Sequence, residues 1–122
     1  MSAHSRSQKF AQAAFPIVQG KNEEYQTFAK KFPALVHSCG LAQAVAFARA
    51  KQRDDYVGDL ATVLQAVGHA AMTDAKGLDD EARKVSLSDY MRLSRDAIQA
   101  ADWLKRYVEA LEKPTETAKG VG

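Results

Sequence analysis

Residues 32–51, "FPALVHSCGLAQAVAFARAK", decide the fold. Phe32, Leu35 and Val36 recur at three- and four-residue steps, and beyond Gly40 the residues Leu41, Ala44, Val45 and Ala48 do the same. That period belongs to two amphipathic helices, each turning one apolar stripe to a core, and not to an alternating strand. "SCG" at 38–40 supplies the stop between them, because glycine tolerates the backbone turn that ends a helix. Arg49, Lys51 and Arg53 then close the second helix in basic charge, which its negative end favours.

Working outward, the same period runs through the chain and predicts an all-α domain. Ser5 or Ser7 caps a first helix that buries Phe10, Ala14, Ile17 and Val18 and stops at Gly20, with Pro16 expected to kink it or end it at Phe15. Asn22 caps a second, with Glu23 and Glu24 in its positive first turn and a stripe of Tyr25, Phe28, Ala29, Phe32, Leu35 and Val36. Pro33 is expected to bend that helix or restart it. After a turn at "RDDY", 53–56, with Asp54 or Asp55 as its cap, Val57, Leu60, Ala61, Leu64, Val67 and Ala71 form the next face. The polar stretch 73–85 lacks a strong stripe and is expected to be a mobile loop. A last helix from Ser86 or Ser88 to about Lys113 carries a core face of Leu87, Met91, Ser94, Ile98, Ala101, Leu104, Val108 and Leu111. Its second apolar line, Leu93, Ala100, Trp103 and Tyr107, makes it central in the bundle or shared with a partner. The expected architecture is a compact bundle of five or six helices in one domain, 1–122, with the long C-terminal helix central and flexible ends at 1–4 and 114–122.

Composition agrees with one folded unit: 122 residues, 46% hydrophobic and 26% charged, with seven Gly and three Pro. No apolar run approaches the roughly 18–20 residues of a membrane span, and "MSAHSRSQKF" lacks the apolar core of a secretory signal. Cys39 is the single cysteine and makes no intrachain disulfide. A cytoplasmic protein without membrane contact is the expectation. Charge is segregated: residues 1–53 hold eight Lys/Arg against two acids (8 − 2 = +6), and residues 54–81 hold one against seven (1 − 7 = −6). Such blocks attract a polyanion to one surface or dock copies head to tail.

Catalytic groups are few and scattered. His37 and Cys39 are two apart and so point to different sides of a helix; His69 lies about thirty residues on. Paired ligand clusters for zinc and a phosphate-cradling glycine loop are both missing, so no catalytic residue, metal or cofactor is expected. Paired acids such as Asp54 with Asp55 suit helix starts better than acid–base work. Cations remain: Lys30, Lys31, Arg49, Lys51, Arg92, Arg95, Lys105 and Arg106, with Arg92 expected to pair with Asp96 and Arg106 with Asp102. Several cations on one surface suffice for sequence-independent phosphate binding.

"KKFPALVHSCGLAQAVAFARAK" followed, after an acidic segment, by "YMRLSRDAIQAADWLKRYVEAL" resembles the small all-helical subunit of the type III-B CRISPR effector, the Cmr complex. Phe32, Pro33, Gly40 to Ala44, Ala46 and Phe47, then Tyr90, Leu93, Trp103, Leu104 and Lys105, carry the likeness over about residues 5–112. Pro16 and Cys39 depart from it. The resemblance implies a non-catalytic scaffold that stacks in several copies beside the other Cmr subunits and lines the groove for target RNA paired to CRISPR RNA. Charge placement, and not the family likeness, nominates the eight cations above as the RNA-binding residues, while Trp103, Tyr107, Asp54 and Asp55 are expected to meet neighbouring subunits or copies. Two other readings are an adaptor that binds protein partners through Trp103 and Tyr107 without nucleic acid, and a small hydrolase using His37.

Overall fold

A computed structural model describes residues 5–121, with side chains as far as Glu112. Its described residues form six helices and no strand: α1 Arg6–Ile17, α2 Glu23–Cys39, α3 Leu41–Ala50, α4 Asp54–Ala66, α5 Ala75–Lys84 and α6 Leu87–Val121. α4 packs against each of the other five, and α6 lies along α1, α2 and α4. The centre is therefore shared between the long helix and α4, which buries Tyr56, Val57, Leu60, Ala61, Val63 and Leu64 around most of its circumference.

Caps set the helix starts. Ser5 accepts from the Gln8 amide while the Gln8 side chain accepts from the Ser5 amide, a reciprocal pair that satisfies two otherwise free donors. Asn22 accepts from the Tyr25 amide at 2.8 Å. Gly40 alone separates α2 from α3, at φ +86° and ψ 161°, a combination only glycine adopts without strain. Its lack of a side chain lets Tyr90 of α6 approach, and the Ala42 amide donates to Tyr90 Oη at 3.1 Å. A tyrosine 48 residues further along the chain thus caps α3.

Several expectations change. Pro16 lies inside α1, which continues past it to Ile17; Pro33 lies inside an uninterrupted and buried stretch of α2. Pro33 is buried, so packing offsets its lost hydrogen bond, whereas Pro16 is exposed and sits one residue from the end of α1. Neither Asp54 nor Asp55 caps α4: both fall in its first turn, Arg53 occupies the cap, and Gln52 makes the turn at φ 60°. The stretch 73–85 is no loop but holds α5, because Asp74 accepts from the Gly77 amide at 2.7 Å and Ala75, Leu78 and Ala82 form a narrow buried stripe. α6 continues to Val121 rather than ending near Lys113. The flexible ends expected at 1–4 and 114–122 concern residues 1–4 and 122 and side chains from 113 onward, which lie outside the described ones.

Toward the start of α6 the core face is rotated from the expected one. Leu93, Ala97, Ala100, Ala101, Leu104 and Val108 are buried, while Leu87 is 75% and Met91 57% exposed. Half of that buried set is alanine, whose small side chains give little hydrophobic signal in a sequence. Larger side chains at 87 and 91 were the misleading signal.

Candidate nucleic-acid interface

The eight predicted cations divide by their surroundings. Lys30 holds Glu112 at 3.0 Å, joining α2 to α6. Arg49 holds Asp54 at 3.2 Å and Asp79 at 2.8 Å, and these partners raise its pKa above the ordinary arginine value. Arg92 holds Asp89 at 3.2 Å rather than Asp96. Among the described residues, Lys31, Lys51, Arg95, Lys105 and Arg106 have no carboxylate at ion-pair distance; Arg106 does not pair with Asp102 but lies over the Trp103 ring at 5.0 Å.

Two grooves gather four of the eight, Lys31 with Lys51 and Arg92 with Arg95. The larger, about 930 Å³, lies between α2 and α3, with Phe28, Phe32, Leu35 and Phe47 as an apolar floor and Lys31, Lys51 and Arg53 facing Glu23 and Glu24 on its rim. Phe47 is 44% exposed there, with the Lys51 ammonium 5.6 Å from its ring centre. The second, about 520 Å³, lies between the turn after α4 and the outer face of α6 and is lined by Arg6, His69, Arg92, Arg95, Asp96 and Gln99, among others. Lys30, Arg49, Lys105 and Arg106 line neither.

Asp96 organises the second groove, and sequence reasoning missed it. It is 4% exposed, and its Oδ2 meets Arg6 Nη2 at 2.6 Å and His69 Nε2 at 2.7 Å. Arg6 Nη1 also donates to the Val67 carbonyl at 3.2 Å. A buried carboxylate requires such partners. One signal was available: Asp96 falls on the Leu93–Ala100 line, three residues from one and four from the other. The partners, 27 and 90 residues away, could not be read locally. No hydroxyl or thiol lines this groove among the described residues, so the imidazole–carboxylate pair has no nucleophile beside it.

The other candidates are placed as follows. His37 is exposed, and the Cys39 thiol donates to the Leu35 carbonyl within its own helix. Among the described residues no group of three or more His, Cys, Asp or Glu could hold a metal, and no helix is long and apolar enough to cross a membrane. Trp103 and Tyr107 are half-buried, 5.6 Å apart, and Tyr107 meets the exposed Phe15 edge-on at 5.2 Å. Most of the acidic block is neutralised within the chain: Asp54 and Asp79 by Arg49, Asp55 by Arg53, Asp59 by Lys21, and Asp80 by Lys76 and Arg83. Lys76 accordingly lowers the Asp80 pKa, its largest cause being their hydrogen bond.

The described residues thus form an all-helical domain with two grooves that cations line. Comparison makes this specific: the family described as CRISPR-associated protein (Cas_Cmr5) matches residues 3–111, and the chain belongs to that family. It is 40% identical over 115 residues to the CRISPR system Cmr subunit Cmr5 of Thermus thermophilus, covering 88% of this chain and 96% of that protein. A crystal structure of a CRISPR-associated Cmr5 family protein, also from Thermus thermophilus, superposes with a TM-score of 0.78 at 37% identity, covering 88% of this chain and 98% of the other.

Proposed function

We propose that this protein is a non-catalytic subunit of a type III-B Cmr effector ribonucleoprotein of the cytoplasm, acting in antiviral defence. Several copies stack beside the other Cmr subunits and line the groove for target RNA. Sequence is read by base pairing to CRISPR RNA, while this chain neutralises backbone phosphate without choosing bases. Family membership over residues 3–111 is the observation that carries this reading. Supporting it, Lys31, Lys51, Arg95, Lys105 and Arg106 stand without acid partners among the described residues, ready for phosphate; Lys30, Arg49 and Arg92 would first exchange a carboxylate for it.

The test is purification. Tagged full-length chain, expressed with the other Cmr subunits, is expected to recover them together with CRISPR RNA. Recovery of neither overturns the reading. Copies docking through Asp54 and Asp55 must displace Arg49 and Arg53 of their own chain, so copy-to-copy association through them weakens as salt rises. The exposed Phe15 beside Tyr107 and Trp103 favours a second reading, an adaptor for protein partners, under which subunits are recovered without RNA.

A further inference from the structure

We propose that the outer face of α6 together with Arg6 of α1 is the strand-binding track of this chain, holding the phosphodiester backbone of single-stranded RNA, and that the α2–α3 groove is not. This rests on the proposed RNA contact and assigns it to one surface.

Spacing is the first support. Arg92, Arg95, Gln99 and Arg106 are exposed and separated by three, four and seven residues, so they share one line along the helix, with Trp103 at its edge. From Arg92 to Arg106 the line is about 21 Å long at the helical rise. Three guanidinium groups along one helix line, of which Arg92 also holds Asp89, suit the spaced phosphates of a linear polyanion.

Preorganisation is the second. Arg6 is half-exposed, yet two of its five N–H donors are fixed from below by Asp96 and the Val67 carbonyl. Arg6 lines the same groove as Arg95 and Gln99. Asp96 is a positioning residue here: it holds Arg6 and is itself braced by His69, so little side-chain freedom is lost when Arg6 meets phosphate. At the other end Arg106 is held over Trp103, presenting a plane on which a base can stack. The α2–α3 groove differs in its floor, which is apolar (Phe28, Phe32, Leu35 and Phe47) where the α6 groove is lined by Arg, His and Gln side chains that hydrogen-bond a phosphodiester.

The experiment titrates the full-length chain with fluorescein-labelled twelve-nucleotide oligouridine at several salt concentrations. R95E with R106E, both exposed and neither in a described ion pair, is expected to weaken binding about tenfold and to flatten the plot of log affinity against log salt by about 0.7 per lost phosphate contact. R6A is expected to act in the same direction, R6K to restore most of the loss, and K31E with K51E to change affinity less than about twofold. Equal melting temperatures for wild type and R95E/R106E keep folding out of the comparison. Four results overturn the assignment: no binding by wild type, no loss in R95E/R106E, an equal loss in K31E/K51E, or displacement of the strand by inorganic phosphate at matched ionic strength, which marks a free-anion site. If R95E/R106E instead ejects the chain from the Cmr assembly while oligouridine binding is unchanged, the track is a protein interface and the proposal fails, although the subunit reading survives. Loss of subunits and CRISPR RNA from wild-type purifications is the separate failure of that reading.

Discussion

At Asp96 one carboxylate braces α1 and the turn after α4 against α6, and its value to the fold follows from what it leaves behind when removed. Asp96→Ala strips half-exposed Arg6 and partly buried His69 of their shared partner and is expected to cost about 1–3 kcal/mol, read by urea denaturation. Gly40→Ala forces a side chain into a backbone region that is essentially glycine's alone and sets its Cβ 3.4 Å from Tyr90 Oη. The expected loss is about 1–3 kcal/mol in the same measurement. Tyr25 and Tyr56 supply a pH prediction. Burial first, and for Tyr25 then its hydrogen bond to Asp59, raises both phenols well above the ordinary tyrosine value of about 10. Their folded pKa exceeds the unfolded one, so the stability they contribute is full below pH about 10 and is lost as pH climbs beyond it. Absorbance at alkaline pH should show these two phenols ionising only as the protein unfolds; ionisation in the folded state contradicts it.

Among the elements, α2, α3 and α4 were legible because each carries a broad apolar stripe between clear stops: Asn22, Gly40 and the 51–53 turn. α5 was not, because its buried stripe consists of two alanines and a single leucine, and small residues leave little periodic signal. Its one local marker was the cap, Asp74 three residues before Gly77. The prediction at this scale is that Leu78, fully buried, anchors α5: Leu78→Ala should cost about 2–4 kcal/mol. Amides of 78–84 should also resist hydrogen exchange, which a mobile loop would not. For α6 the period was right and its C-terminal half, Ala101, Leu104 and Val108, is buried as expected, while toward its start Leu87 and Met91 are exposed and Leu93, Ala97 and Ala100 are buried instead. Of the candidate interface, the Arg92–Arg95–Arg106 line was visible from spacing alone. Arg6 and His69 were not, because only folding brings positions 6, 69 and 96 together.

For the whole molecule, helix α4 touching every other helix means that no pair can separate without disturbing the same core. Urea unfolding followed by Trp103 fluorescence on α6 and by far-ultraviolet circular dichroism should therefore coincide in one transition; two separated midpoints would show that α6 detaches alone. The neutralised acidic block carries a related lesson, since a charge asymmetry plain along the chain is largely cancelled in space by Arg49, Arg53, Lys21 and Arg83. The corner at Gly40 has a mechanical consequence. With Gly40 alone between α2 and α3, and the first turn of α3 tied to α6 by the Ala42–Tyr90 hydrogen bond, one residue's backbone sets the angle at which the two helices meet, so a substitution at 40 should reshape the cleft beside Phe47 along with the corner itself.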